Sequence, residues 1–109
     1  MSDILYREFE VPCTLDEAWD HVVDPTWLGD EGELEPREGA EGWVLSDGDV
    51  KYLLVEEAQE ARRLVYRWAS FSDVPSRVEI ELAPGVDGTR ISISESPLAA
   101  NAQACLALR

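Results

Sequence analysis

The sequence predicts an α+β domain in which a run of antiparallel strands is laid against helices. Three observations predict it. A single amphipathic stripe follows Pro12, period-two patterning with turn punctuation runs from Gly32 onward, and a second helical pattern follows Pro97. Apolar and polar residues alternating through successive hairpins imply a sheet with one covered face and one wet face. The helical segments supply the cover.

The elements follow in order. "DILYREFEV" alternates loosely, with Leu5, Phe9 and Val11 on one face of a strand that Pro12 ends. In "TLDEAWDHVVD", Thr14 and Glu17 have the spacing of a capping box, and Asp16 and Glu17 suit the positive end of a helix dipole. Leu15, Ala18, Trp19, Val22 and Val23 form one apolar stripe. Pro25 disfavours helical geometry at Asp24 and ends the helix, and "TWLGD" reads as a further helical turn. From Gly32, two or three short strands are expected, broken at Glu38-Gly39, Glu41-Gly42 and Asp47-Gly48. The last break is a hairpin signal. "RRLVYRWASF" is the strongest strand, with Leu64, Tyr66 and Trp68 on one face and Arg67 opposite. A second hairpin turns at Asp87-Gly88, with Val78, Ile80 and Leu82 before it and Ile91 and Ile93 after it. "LAANAQACLALR" is rich in helix formers, and Leu98, Ala102, Cys105 and Leu106 share a stripe.

The 109 residues suit one domain, 1–109, with 45% hydrophobic and 29% charged residues. Net charge is −14, from 23 acidic against 9 basic residues, which repels phosphate backbones and anionic membranes. Nucleic acid and membrane are therefore excluded as partners. The N-terminus lacks the apolar core of a signal peptide, so a cytoplasmic setting is expected, with Cys13 and Cys105 as free thiols.

Three stretches carry a family resemblance. "VPCTLDEAWDHVVDPTWLGD" resembles the N-terminal signature of the START-like (SRPBCC, helix-grip) superfamily. "ARRLVYRW" and "VEIELAPGVDGTRISISES" resemble strands of its Aha-type branch, named for the activator of heat-shock-protein-90 ATPase. The resemblance implies a helix-grip fold: a curved antiparallel sheet wrapped on a C-terminal helix, with an apolar cavity between them. Family members usually continue past this point, so the gripping helix here is expected to be short or truncated. A short helix leaves apolar sheet surface that a partner chain, such as a second copy in a homodimer, would cover.

Cys13 and His21 stand out first, but their spacing matches no zinc pattern. His21 lies one turn from Glu17, as in a solvated i, i+4 pair. Phosphate loops and nucleophile elbows are absent, and no metal or cofactor is expected. The aromatic set is the better lead. Trp27, Trp43, Tyr52, Tyr66 and Trp68 come from separate elements that this fold is expected to bring around one concave face, as core filling or as the lining of a ligand cavity. Glu56 and Glu57 straddle two faces, so the one pointing inward is the candidate acid or base. The reading is a non-catalytic binding domain for a small hydrophobic or aromatic molecule. The alternatives are a chaperone-associated interaction module and a polyketide cyclase/aromatase-like enzyme.

Overall fold

A computed structural model of the chain describes residues 5–70 and 75–97. The predicted C-terminal helix, with Leu98, Ala102, Cys105 and Leu106, lies outside the described residues. Seven strands form one antiparallel sheet: β1 (Leu5–Val11), β2 (Glu31–Glu33), β3 (Glu41–Ser46), β4 (Asp49–Gln59), β5 (Arg63–Ala69), β6 (Ser76–Pro84) and β7 (Thr89–Pro97). Their spatial order is β1-β7-β6-β5-β4-β3-β2, so β1 and β2 are the two edges. The chain passes from one edge to the other through helix α1 (Leu15–Val22) and a 3-10 turn (Pro25–Trp27). No helix among the described residues is long and apolar enough to cross a membrane.

Helix α1 starts where the capping residues predict. The Glu17 amide donates to Thr14 Oγ1 (3.2 Å), and the Thr14 amide donates to Glu17 Oε1 (2.9 Å). The Thr14 hydroxyl also donates to Glu17 Oε1 (3.2 Å), and the amide and hydroxyl bonds from Thr14 together hold the Glu17 carboxyl below its ordinary pKa. The helix buries Ala18, Trp19 and Val22 on one face of the sheet, here called the inner face. Asp24 caps the 3-10 turn, accepting from the Thr26 amide at 2.9 Å and the Thr26 hydroxyl at 2.7 Å.

Strand pairing assigns each side chain to a face. Leu53, Val55, Leu64, Tyr66, Val78, Ile80, Leu82 and Ile91 line the inner face and make the core with α1. Residues between them point outward, because side chains alternate along a strand. Glu41-Gly42 does not break a strand, as the sequence suggested; it opens β3, and Gly42 packs where a Cβ would meet the Glu33 carbonyl oxygen. The Asp47-Gly48 turn is as expected, with positive φ at both residues (53° and 78°), as a two-residue hairpin turn requires.

Alternation fails at one place, and it decides the fate of two candidate residues. Pairing of β4 with β5 slips between Val55 and Glu57, leaving Glu56 as the extra residue of a β-bulge. Val55 still points inward and Ala58 recovers the inner face, so Glu56 and Glu57 both turn outward. Glu56 accepts from Arg67 Nε and Arg77 Nε, each at 2.8 Å. Glu57 accepts from Arg63 Nε at 3.1 Å, and Arg63 also donates to Glu79 (2.6 Å) and Glu81 (2.7 Å). The expectation that one of the pair is an inward acid or base is thus corrected: both belong to an outer-face lattice of ion pairs. Partial burial raises the Glu56 pKa, but the hydrogen bonds from Arg77 and Arg67 outweigh it and leave the carboxyl below its ordinary value.

Candidate functional site

The inner face carries an apolar groove at the β1 edge. Phe9 and Val11 of β1, Ile91 and Ile93 of β7, and Val22 of α1 line a space of about 360 Å³. Cys13, His21 and Trp27 also line it. Two hydrogen bonds hold its upper wall. The buried Thr89 hydroxyl donates to the Cys13 carbonyl (2.9 Å), and the Trp27 indole N–H donates to the Val22 carbonyl (2.9 Å). Trp27 therefore lies across the end of α1, 44% exposed as a residue, and lines the groove. Cys13 is a free thiol and His21 is exposed. Glu17 is engaged by the cap, which leaves the His21 imidazole at the groove rim.

A second, polar cluster lies further along the same face. Glu95 stands two residues beyond Ile93 on β7, and so shares its face. Its Oε2 accepts from the Ser76 hydroxyl (2.6 Å) and the Trp68 indole N–H (3.1 Å), while the Ser76 oxygen also accepts from that indole (2.8 Å). The Lys51 ammonium sits 4.2 Å from the centre of the Trp68 ring, within cation–π range. Tyr66 meets Trp68 edge to face, at 5.8 Å between ring centres and 81° between planes. The Tyr66 hydroxyl is buried and has no hydrogen-bond partner among the described residues. Burial, and then the charge of Glu95, push that hydroxyl's pKa well above the ordinary tyrosine value, so it stays protonated.

The five aromatic candidates divide among three places. Tyr66 and Trp68 meet on the inner face, and Trp27 borders the groove. Trp43 and Tyr52 are directly paired across β3 and β4 on the outer face, where Tyr52 is 58% exposed. The expected gathering of all five around one concave face is corrected accordingly. Glu95 and Ser76 were not singled out by the sequence. The signal for Glu95 was present: Ile91, Ile93 and Glu95 fall at period two.

Comparisons with known proteins agree with this architecture. The profile of the family "Activator of Hsp90 ATPase homolog 1-like protein" matches residues 5–105. No curated protein matches the chain significantly. Among solved structures, DynU16, from the dynemicin biosynthetic locus, is 26% identical with a TM-score of 0.77; the match covers 89% of this chain and 38% of DynU16. The chain therefore spans well under half the length of that relative. MLL2253 from Mesorhizobium loti is 19% identical with a TM-score of 0.76, and the match covers 86% of this chain and 76% of that one. CalU16 from Micromonospora echinospora is 23% identical with a TM-score of 0.66, and the match covers 86% of this chain and 59% of that one. With its strand order, its capped helix and a family profile running along nearly its whole length, the chain belongs to the Activator of Hsp90 ATPase homolog 1-like family, of START-like fold.

Proposed function

We propose that this domain binds a small apolar or aromatic molecule on the inner face of its sheet. The observation that carries the reading is the groove of about 360 Å³ walled by Phe9, Val11, Val22, Ile91 and Ile93. Its volume falls within the roughly 300–1,000 Å³ typical of ligand sites, and its lining is apolar with polar groups at the margin, as such sites require. Burial of apolar area supplies the affinity, and Trp27 closes one side. DynU16 comes from a biosynthetic locus, and a small-molecule cargo for this chain is in keeping with that neighbour. A cytoplasmic setting, with Cys13 as a thiol, belongs to the same proposal.

The test uses N-phenyl-1-naphthylamine, an uncharged probe whose fluorescence rises in apolar surroundings. At about 0.3–0.4 kcal/mol per heavy atom, its roughly 17 heavy atoms give about 5–7 kcal/mol and a Kd on the order of 10–200 µM. Saturable binding is expected, weakened severalfold by Phe9→Glu, which puts a charge on an edge side chain already 43% exposed. Absence of saturable binding refutes the proposal. In that case a chaperone-facing role, which the family's name suggests, becomes the better account.

A further inference from the structure

The polar cluster beside the groove is built in a way that the fold alone does not require. Tyr66, Val78 and Glu95 form one row across β5, β6 and β7. Tyr66 and Glu95 thus lie two strand spacings apart, about 9–10 Å between backbones, with only the short Val78 side chain between them. The Glu95 hydrogen bonds from Ser76 and Trp68 both converge on Oε2. Among the described residues no donor reaches Oε1. Tyr66 is 1% exposed, and among the described residues its hydroxyl is a donor that no group accepts. A buried donor without a partner costs free energy, and native structures retain one where something else supplies the missing partner. Ser76 and the Trp68 indole meanwhile lock the carboxylate in place, as a preformed recognition group needs. One row therefore presents a fixed acceptor and an unanswered donor.

We propose that this row is the polar end of the ligand site and that it selects an uncharged ligand bearing a hydroxyl group, phenolic or alcoholic. The Tyr66 hydroxyl donates to the ligand oxygen, and the ligand O–H donates to Glu95 Oε1. A carboxylate of otherwise identical shape is rejected, because it brings a second negative charge beside Glu95 and has no proton to donate. The inference rests on the reading of the inner face as a ligand site, since Ile93 of the groove and Glu95 of the row are neighbours on one strand face.

Equilibrium dialysis with naphthalene, 2-naphthol and 2-naphthoate at neutral pH tests it on the full chain. These three share a ring system and differ in the group offered to the row. The expected result is 2-naphthol bound roughly tenfold tighter than naphthalene, and 2-naphthoate bound more weakly than either. Glu95→Gln removes the charge while keeping the shape, and should bring 2-naphthoate and 2-naphthol to within severalfold of each other. Tyr66→Phe should lower affinity for 2-naphthol and leave naphthalene unchanged. A circular-dichroism melt of each variant confirms that it is folded, and Ser76→Ala serves as a second, milder disturbance of Glu95. Equal binding of all three compounds by the unmodified chain, or unchanged selectivity in folded Glu95→Gln, overturns this inference and leaves the ligand reading standing. Failure of all three to bind overturns both.

Discussion

Replacing Tyr66 with Phe should stabilise the ligand-free protein. The residue is 1% exposed and its hydroxyl oxygen has no partner among the described residues, so the folded state carries a desolvated group that water satisfies in the unfolded chain. Such a group costs about 1–3 kcal/mol. Removing the oxygen vacates about 10 Å³, which at roughly 24 cal/mol per Å³ returns only about 0.2–0.3 kcal/mol of that gain. The ring remains, and with it the edge-to-face contact with Trp68 at 5.8 Å. The net expectation is a gain of about 1–2.5 kcal/mol, read as a higher urea midpoint with an unchanged slope. Melting temperature should rise by about 4–8 °C for each kcal/mol. A pH series adds an independent reading. Because the folded-state pKa of Tyr66 is raised, its contribution to stability is intact below the ordinary tyrosine pKa and is lost as pH climbs above about 10. Tyr66→Phe should abolish that part of the alkaline loss, at most about 1.4 kcal/mol per pH unit. A variant less stable than the parent by about 1 kcal/mol or more would refute the reasoning, since a loss of that size means that the hydroxyl is satisfied in the folded protein.

Three further outcomes are expected. Glu56→Gln should reduce the loss of stability on acidification: the Glu56 pKa is depressed, so its contribution is present above the ordinary carboxylate range and disappears between about pH 5 and 3, as urea melts at each pH will show. Thr14→Ala removes the cap hydroxyl that accepts from the Glu17 amide and should cost about 1 kcal/mol in chemical denaturation, leaving probe affinity per folded molecule unchanged. Gly48→Ala places a Cβ at φ +78° in the β3–β4 turn and should cost about 1–2 kcal/mol, whereas Gly48→Asn should recover much of it.

Much of the fold was legible because its signals are local. The Thr14–Glu17 spacing located the start of α1, Asp47-Gly48 and Asp87-Gly88 located two hairpins, and the alternation of Leu64, Tyr66 and Trp68 about Arg67 put each on its true face. The outer-face position of Trp43 and Tyr52 was hidden by "YLLV", four consecutive apolar residues in which period two cannot be read. Pairing through the Asp47-Gly48 turn fixes it, because a two-residue loop sets Ser46 opposite Asp49 and so Trp43 opposite Tyr52. The bulge at Glu56 has no such signature. Two adjacent glutamates read as one in and one out, and only the arginines on β5 and β6 show why both turn outward. A carboxylate near a strand end reads as solvated, so the sequence does not mark Glu95. Its partners, Trp68 and Ser76, are distant in sequence and meet it only through the register of β5, β6 and β7.

The claim that the inner face is a small-molecule site is tested most directly by an NMR titration of isotope-labelled protein with N-phenyl-1-naphthylamine. Saturating shifts are predicted for the amides of Phe9, Val22, Ile91 and Ile93 and for the Trp27 indole N–H, all sharing one Kd. Shifts confined to Trp43, Tyr52 and Leu54 on the outer face, or no saturable shifts at all, would contradict it.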